Sequence, residues 1–289
     1  MYTSICVAYD GSDSAQNALE QAATLAASEG SALHIVTVVP GYQGDLRLLG
    51  DTKALKQLRA QYESSLQHAL ATAEARGVRA SASLREGEPC EEVLAYAEEV
   101  QADLVVVGKR SAPLLDALPV GSVAMNIIRL ASPDVMVAPA HSAPLNMGAL
   151  FLAYDGSESA NRAARKASRL AASYGARLIV ATAYEMSLET FALSPRAEEA
   201  LCAKARDMQH TALDIAAAAE VRNAIPVVRH GNPTYKTLAD EAMLRQAGLI
   251  VLGSKGRGGL SRLLLGSVAE RLIAVSACPA LVVKENGHA

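Results

Sequence analysis

The stretch VAYDGSDSAQNALEQAATLAASEGSAL at residues 7–33 returns as LAYDGSESANRAARKASRLAASYGARL at residues 152–178. The displacement is the one that separates Asp10 from Asp155. It also relates Val38 to Ala183, Gly108 to Gly253 and Gly121 to Gly266. A period this long marks a duplicated domain, not a solenoid unit. The 289 residues therefore resolve into two domains, expected at 1–142 and 147–289, with the boundary in APAHSAPLNMG at residues 138–148.

Both repeats follow one order of elements. A short apolar strand (SICVAY, ALFLAY) leads into Asp-Gly-Ser and an Ala-rich helix, for which Asp10 and Asp155 are the expected caps, with Asp13 and Glu158 three residues on. Strands ALHIVTVV and RLIVATAY follow, then helices over about 51–76 and 195–220, then third strands ending in Gly-x-Pro, with Pro89 and Pro233 predicted at first helical positions. DLVVVG and GLIVLG are continuous apolar runs, as expected of central strands covered on both faces. A helix and a last strand, DVMVAP or ALVVKE, close each repeat. Alternation of this kind predicts an α/β fold with a doubly wound parallel sheet in each domain.

Composition agrees. Half the residues are apolar (51%), but only 4% are aromatic and none is Trp, so the core is built from Val, Leu, Ile and Ala. A net charge of −3 argues against bulk binding of nucleic acid or anionic membrane. No apolar run approaches the roughly 18–20 residues that span a bilayer. The N-terminal MYTSICVAYDG lacks a basic region and cleavage site, which predicts a cytoplasmic protein without a signal peptide. Cys6, Cys90, Cys202 and Cys278 are scattered, as buried thiols in a reduced compartment are, and form no metal or disulfide pattern.

One stretch exceeds what a core needs. VLGSKGRGGLSRLLLGSVAERL, residues 251–272, carries the spacing Gly253-x2-Gly256-x9-Gly266-Ser267 just after a strand, where ligands bind in open parallel sheets. Glycine permits positive φ and close backbone approach, exposed N–H groups cradle anions, and a helix opening at Ser267 favours phosphate through its dipole. Lys255, Arg257 and Arg262 add three positive charges. Two plainer readings stand beside this polyphosphate cradle. Ser267 and Glu270 have capping-box spacing, and Asp155 serves either as a cap or as a ribose-binding carboxylate. No GxxxxGK[ST], GxGxxG after a first strand, G-x-S-x-G or HExxH is present.

Taken together, the first strand with Asp-Gly-Ser, the Gly-x-Pro, the apolar fourth strand and the G-x2-G-x9-G-[ST] motif make each repeat resemble a universal stress protein domain, and the chain a tandem member of that family. The resemblance implies a five-stranded parallel sheet of order 3-2-1-4-5 flanked by helices. It further implies ATP binding, accompanied by Mg2+, with Asp155 on the ribose, backbone atoms of Ala183 on the adenine, and Leu252, Gly253, Gly256, Gly266, Ser267 and Val268 along the phosphates. Members of the family often pair through their last strands, so the resemblance implies pairing of the two repeats within the chain or a homodimer. Family-type positions in the first repeat are Asp10, Val38, Gly108, Gly121 and Ser122, but Ser111 replaces the second glycine and Asp116 lowers the loop's charge. The expected function is a nucleotide-sensing stress-response module rather than an enzyme. The rival is a slow ATPase or nucleotide-dependent transferase built on the same cradle.

Overall fold

The computed structural model describes residues 1–41, 52–109, 120–187, 194, 196–256 and 265–285. It divides into two compact units, Met1–Pro144 and a second that begins at Leu145. In the first unit β1 (Ser4–Ala8), α1 (Asp13–Glu29), β2 (Ala32–Pro40), α2 (Thr52–Glu74), β3 (Ala80–Gly87), α3 (Pro89–Glu99), β4 (Leu104–Lys109), α4 (Ser122–Leu130) and β5 (Asp134–Pro139) alternate as the sequence predicts. Ile5 of β1 lies opposite Leu33 of β2 on one side and Leu104 of β4 on the other. β3 adds outside β2 and β5 outside β4, all parallel, which is the order 3-2-1-4-5.

The second unit repeats this arrangement with β6 (Ala149–Ala153), α5 (Glu158–Tyr174), β7 (Arg177–Tyr184), α6 (Ala197–Ala218), β8 (Ala224–His230), α7 (Thr234–Leu244), β9 (Leu249–Gly253), α8 (Ser267–Val275) and β10 (Ala280–Val283). β6 is flanked by β7 and β9, β8 pairs with β7 and β10 with β9, again all parallel. Because β6 has neighbours reached by connections in opposite directions, the crevice at its carboxyl end is the switch point where such sheets bind ligands.

The buried helices are made of small residues for a reason. α5 lays Ala160, Ala163, Ala164, Ala167 and Ala171 on the sheet at three- and four-residue intervals, each at most 3% exposed. α1 does the same with Ala15, Ala18, Ala22 and Ala26. Alanine faces let these helices approach the strands closely. Leu150, Phe151 and Leu152 of β6 beneath α5 are fully buried, as a central parallel strand requires.

Two local expectations are corrected. The caps of α1 and α5 are Ser12 and Ser157, whose hydroxyls accept from the Ala15 and Ala160 amides at 3.2 and 3.1 Å. Asp10 and Asp155 stand two residues earlier and accept instead from the Ser12 and Ser157 amides, both at 3.0 Å, so each carboxylate orders the turn that presents the cap. Pro89 opens α3 at its first turn, but Pro233 occupies the N-cap of α7, one position earlier than predicted.

One buried acid holds α7 against β8. Glu241, 6% exposed, accepts from Arg229 at 2.9 and 3.1 Å and from Arg245 at 2.5 Å. Burial opposes its ionisation, but the bonds from Arg245 and Arg229 outweigh burial and hold the carboxyl below its ordinary range. A carboxyl depressed in the folded state contributes stability above its unfolded pKa and loses it as pH falls through the folded pKa. Glu241→Gln should therefore cost about 2 kcal/mol at neutral pH, with the gap to the parent closing below about pH 4. Urea unfolding at pH 7 and pH 3 checks this, and a gap unchanged between the two would refute it.

Candidate functional site

At the carboxyl end of β6 the chain is pinned before it turns. The Tyr154 amide donates to Ala181 O at 2.8 Å, and Thr182 Oγ1 donates back to Tyr154 O at 2.9 Å. Its phenol donates to Asn161 Oδ1 at 2.6 Å, and burial, the largest influence, raises its pKa and keeps it neutral. Gly156, at φ +76°, then swings the chain into α5 and leaves Asp155 half-buried at the crevice. Asp155 Oδ1 is committed to the Ser157 amide, while Oδ2 faces Gly256, where an added Cβ would stand 3.2 Å away.

The glycine loop leaves β9 against the first turn of α5. A Cβ on Gly253 would lie 2.5 Å from Ser159 Oγ and 2.6–2.7 Å from the Ser159 carbonyl group. Gly108 in the first repeat is crowded in the same way by Ser14 C and O, both at 2.5 Å, and by Ala15 N at 2.8 Å. Close helix–strand packing thus requires a glycine at this position in both repeats, a demand independent of any ligand. None of Gly253, Gly256 and Gly266 has positive φ, so close approach is the property this loop uses.

Two serines of the DGSES turn fasten the loop. Ser159 Oγ bonds to Lys255 O and accepts from the Lys255 amide at 3.3 Å, while Ser157 Oγ donates to Lys255 O at 3.3 Å. From the other arm, the Gly266 amide donates to Ser254 O at 3.1 Å, and a Cβ on Gly266 would stand 3.2 Å from Gly256 N. The start of α8 is therefore held against residues 254–256. Ser267 is the first helical residue, Gly266 is the cap, and no side chain makes the cap bond, so the capping box of Ser267 and Glu270 does not form. Ser267 and Val268 are exposed at this helix start, where the first-turn amides of an α-helix lack intrahelical acceptors.

Leu252 lies opposite Ala153 of β6, and Ala153 opposite Ala181 of β7. Parallel pairing therefore brings Asp155, Ala183 and residues 252–256 to the same end of three adjacent strands. Ala183 is half-buried opposite Arg229, and the neighbouring Tyr184 stacks on His230 with ring centroids 5.4 Å apart. The expected positive charge is modified. Lys255 Nζ is 2.6 Å from Glu285 Oε1, so its ammonium is shared with a carboxylate that the sequence did not reveal. Arg257 and Arg262 lie outside the described residues, as do Ser111, Pro113, Asp116 and Pro119 of the first repeat.

The first repeat keeps the frame with differences. Asp10 is exposed and bonds both the amide and the hydroxyl of Ser12, at 3.0 and 2.5 Å. Gly121, the cap before Ser122, has φ +89°, whereas Gly266 has φ −62°, so the two loops enter their helices along different paths. Val38 is half-buried opposite Arg85, the register counterpart of Ala183 opposite Arg229. Among the described residues no group of three His, Cys, Asp or Glu converges to hold a metal ion. Burial pushes the Cys6 thiol up to about 12, so it carries no thiolate at neutral pH.

The model of the universal stress protein family matches residues 1–139 and 148–284. A universal stress protein of Thermus aquaticus is 34% identical over 135 residues, which is 47% of this chain and 97% of that protein. Universal stress protein YxiE of Bacillus subtilis is 28% identical over 148 residues, 47% of this chain and 99% of its own length. Among solved structures, a universal stress protein from Archaeoglobus fulgidus matches with a TM-score of 0.72 at 20% identity, covering 97% of this chain and 98% of that one. That last likeness is one of fold.

Proposed function

This chain belongs to the universal stress protein family, and on that premise we propose that its second repeat binds ATP and that the protein acts as a cytoplasmic nucleotide-sensing module. The observation that carries the proposal is the space over Gly256. Among the described residues a Cβ there would meet one atom within 4 Å, Asp155 Oδ2, although the loop is tied on both flanks to α5 and α8. A side-chain-free backbone between a carboxylate and an unfilled helix start suits a ribose and its phosphates. Asp155 Oδ2 would take the ribose, backbone atoms of Ala183 the adenine, and residues 252–256 with 266–268 the phosphates. Phosphate oxygens would supply most ligands of the accompanying Mg2+, since among the described residues no carboxylate cluster converges there.

Sensing is favoured over turnover because phosphoryl transfer needs a positioned base or water-orienting group. Asp155, the carboxylate at the end of β6, is already tied through Oδ1 to the turn before α5, and Glu285 is paired with Lys255. Single-turnover assays with purified protein should show hydrolysis far slower than the roughly 1–10³ per second of ordinary enzymes. Phosphate release within that range, lost on Arg257→Ala and retained through repurification, would establish the ATPase reading instead. Mass spectrometry of nucleotide carried through purification tests the ligand directly.

A further inference from the structure

Resting on the nucleotide reading above, we infer that Glu285 is a specificity residue that competes with the ligand's phosphates for Lys255 and so sets how strongly the site prefers more highly phosphorylated nucleotides. Glu285 follows β10, and the register that places Val283 opposite Gly253 brings it beside the glycine loop. Its Oε1 is 2.6 Å from Lys255 Nζ and 3.4 Å from Arg162 Nη2 on α5. The carbonyl carbon and Cα of Lys255 lie 3.7 and 3.9 Å from a Cβ built on Gly266, at the start of α8. An anion at that helix start is within reach of its ammonium. The lysine thus has two claimants, the Glu285 carboxylate and a phosphate of the ligand.

Arg162 makes the exchange inexpensive. Its side chain is 22% exposed and already touches Glu285, so when Lys255 turns to a phosphate the carboxylate keeps a cationic partner. The first repeat has no such set. Ala140 stands at the position of Glu285 and Asn17 at that of Arg162, and Asn17 donates to Pro139 O at 2.5 Å and Ser142 Oγ at 2.8 Å. The first repeat keeps a base, Arg110, at the position of Lys255, so it is the acid and the second base that occur only in the repeat whose glycine spacing is complete. A carboxylate that merely stitched β10 to α5 would not need Lys255, whereas one that regulates an anion site does.

The test is a ladder of adenosine, AMP, ADP and ATP titrated into nucleotide-stripped full-length protein. Glu285→Gln should tighten ATP by about fivefold, the worth of a partly exposed ion pair expressed as an equilibrium constant. ADP and AMP should gain less, and adenosine should not change. Glu285→Ala should behave alike, as a check that the amide adds no bond of its own. In a Lys255→Met background the effect of Glu285→Gln on ATP should disappear. Equal tightening of adenosine, an unchanged ATP affinity, or an effect that persists without Lys255 would each overturn the role of Glu285 while leaving the nucleotide reading intact. Failure of the parent protein to bind any of the four would remove both.

Discussion

Gly253→Ala is expected to lower the melting temperature of the second unit by roughly 10 °C, a loss of about 3 kcal/mol. The new methyl would stand 2.5–2.7 Å from the hydroxyl, carbonyl carbon and carbonyl oxygen of Ser159. Two of those atoms are backbone in the first turn of α5, so no rotamer change relieves the contact. The helix itself must lift from β9, and its alanine face cannot fill the gap. Gly108→Ala should affect the first unit equally, since Ser14 and Ala15 crowd that position as closely. Gly175→Ala is the control. It has φ +62° but nothing within 4 Å, so it carries only the left-handed penalty of about 1 kcal/mol. Calorimetry in the absence of nucleotide separates these cases. A Gly253→Ala protein as stable as Gly175→Ala would mean that the helix yields freely and that this glycine is kept for a ligand after all.

Much of the fold was legible because the chain states it twice. In RLIVATAY the run LIVA is apolar and buried, as in a strand covered on both faces, and the strand appears at residues 177–184 as read. The turn after β6 was legible only in part. In Asp-Gly-Ser-Glu-Ser several oxygens can cap a helix, and the choice of Ser157 over Asp155 depends on the φ of Gly156, which composition does not reveal. The repeated serines at 12, 14, 157 and 159 were the available signal for the loop clasp. The packing of Gly253 against Ser159 was not legible, because a glycine spaced for a ligand and a glycine spaced for a packed helix look identical in one sequence. Glu285 was invisible, since its meeting with Lys255 depends on the register of β10 against β9 and has no echo in the first repeat.

Gly256→Val should abolish tight nucleotide binding, weakening it by at least about 100-fold, while leaving the nucleotide-free melting temperature within a few degrees of the parent. The two glycines three residues apart thus separate by function. At Gly253 an added carbon meets helix backbone, whereas at Gly256 it meets, among the described residues, only the Asp155 Oδ2 atom, at 3.2 Å. A valine there places its methyl groups between the carboxylate assigned to the ribose and the start of α8, which denies the phosphates their approach. It deprives the fold of little, because Asp155 Oδ1 keeps the Ser157 amide and the serines keep Lys255. The same reasoning predicts a single tight site. The first repeat carries Ser111 in place of this glycine and adds Asp116 to its loop, differences that together should cost an anionic ligand 2–3 kcal/mol, about 30- to 150-fold in affinity. Calorimetric titration of stripped protein should therefore give a tight stoichiometry near one, and Ser111→Val should leave it unchanged. Two equivalent tight sites, or tight binding that survives Gly256→Val, would show that the phosphates rest elsewhere.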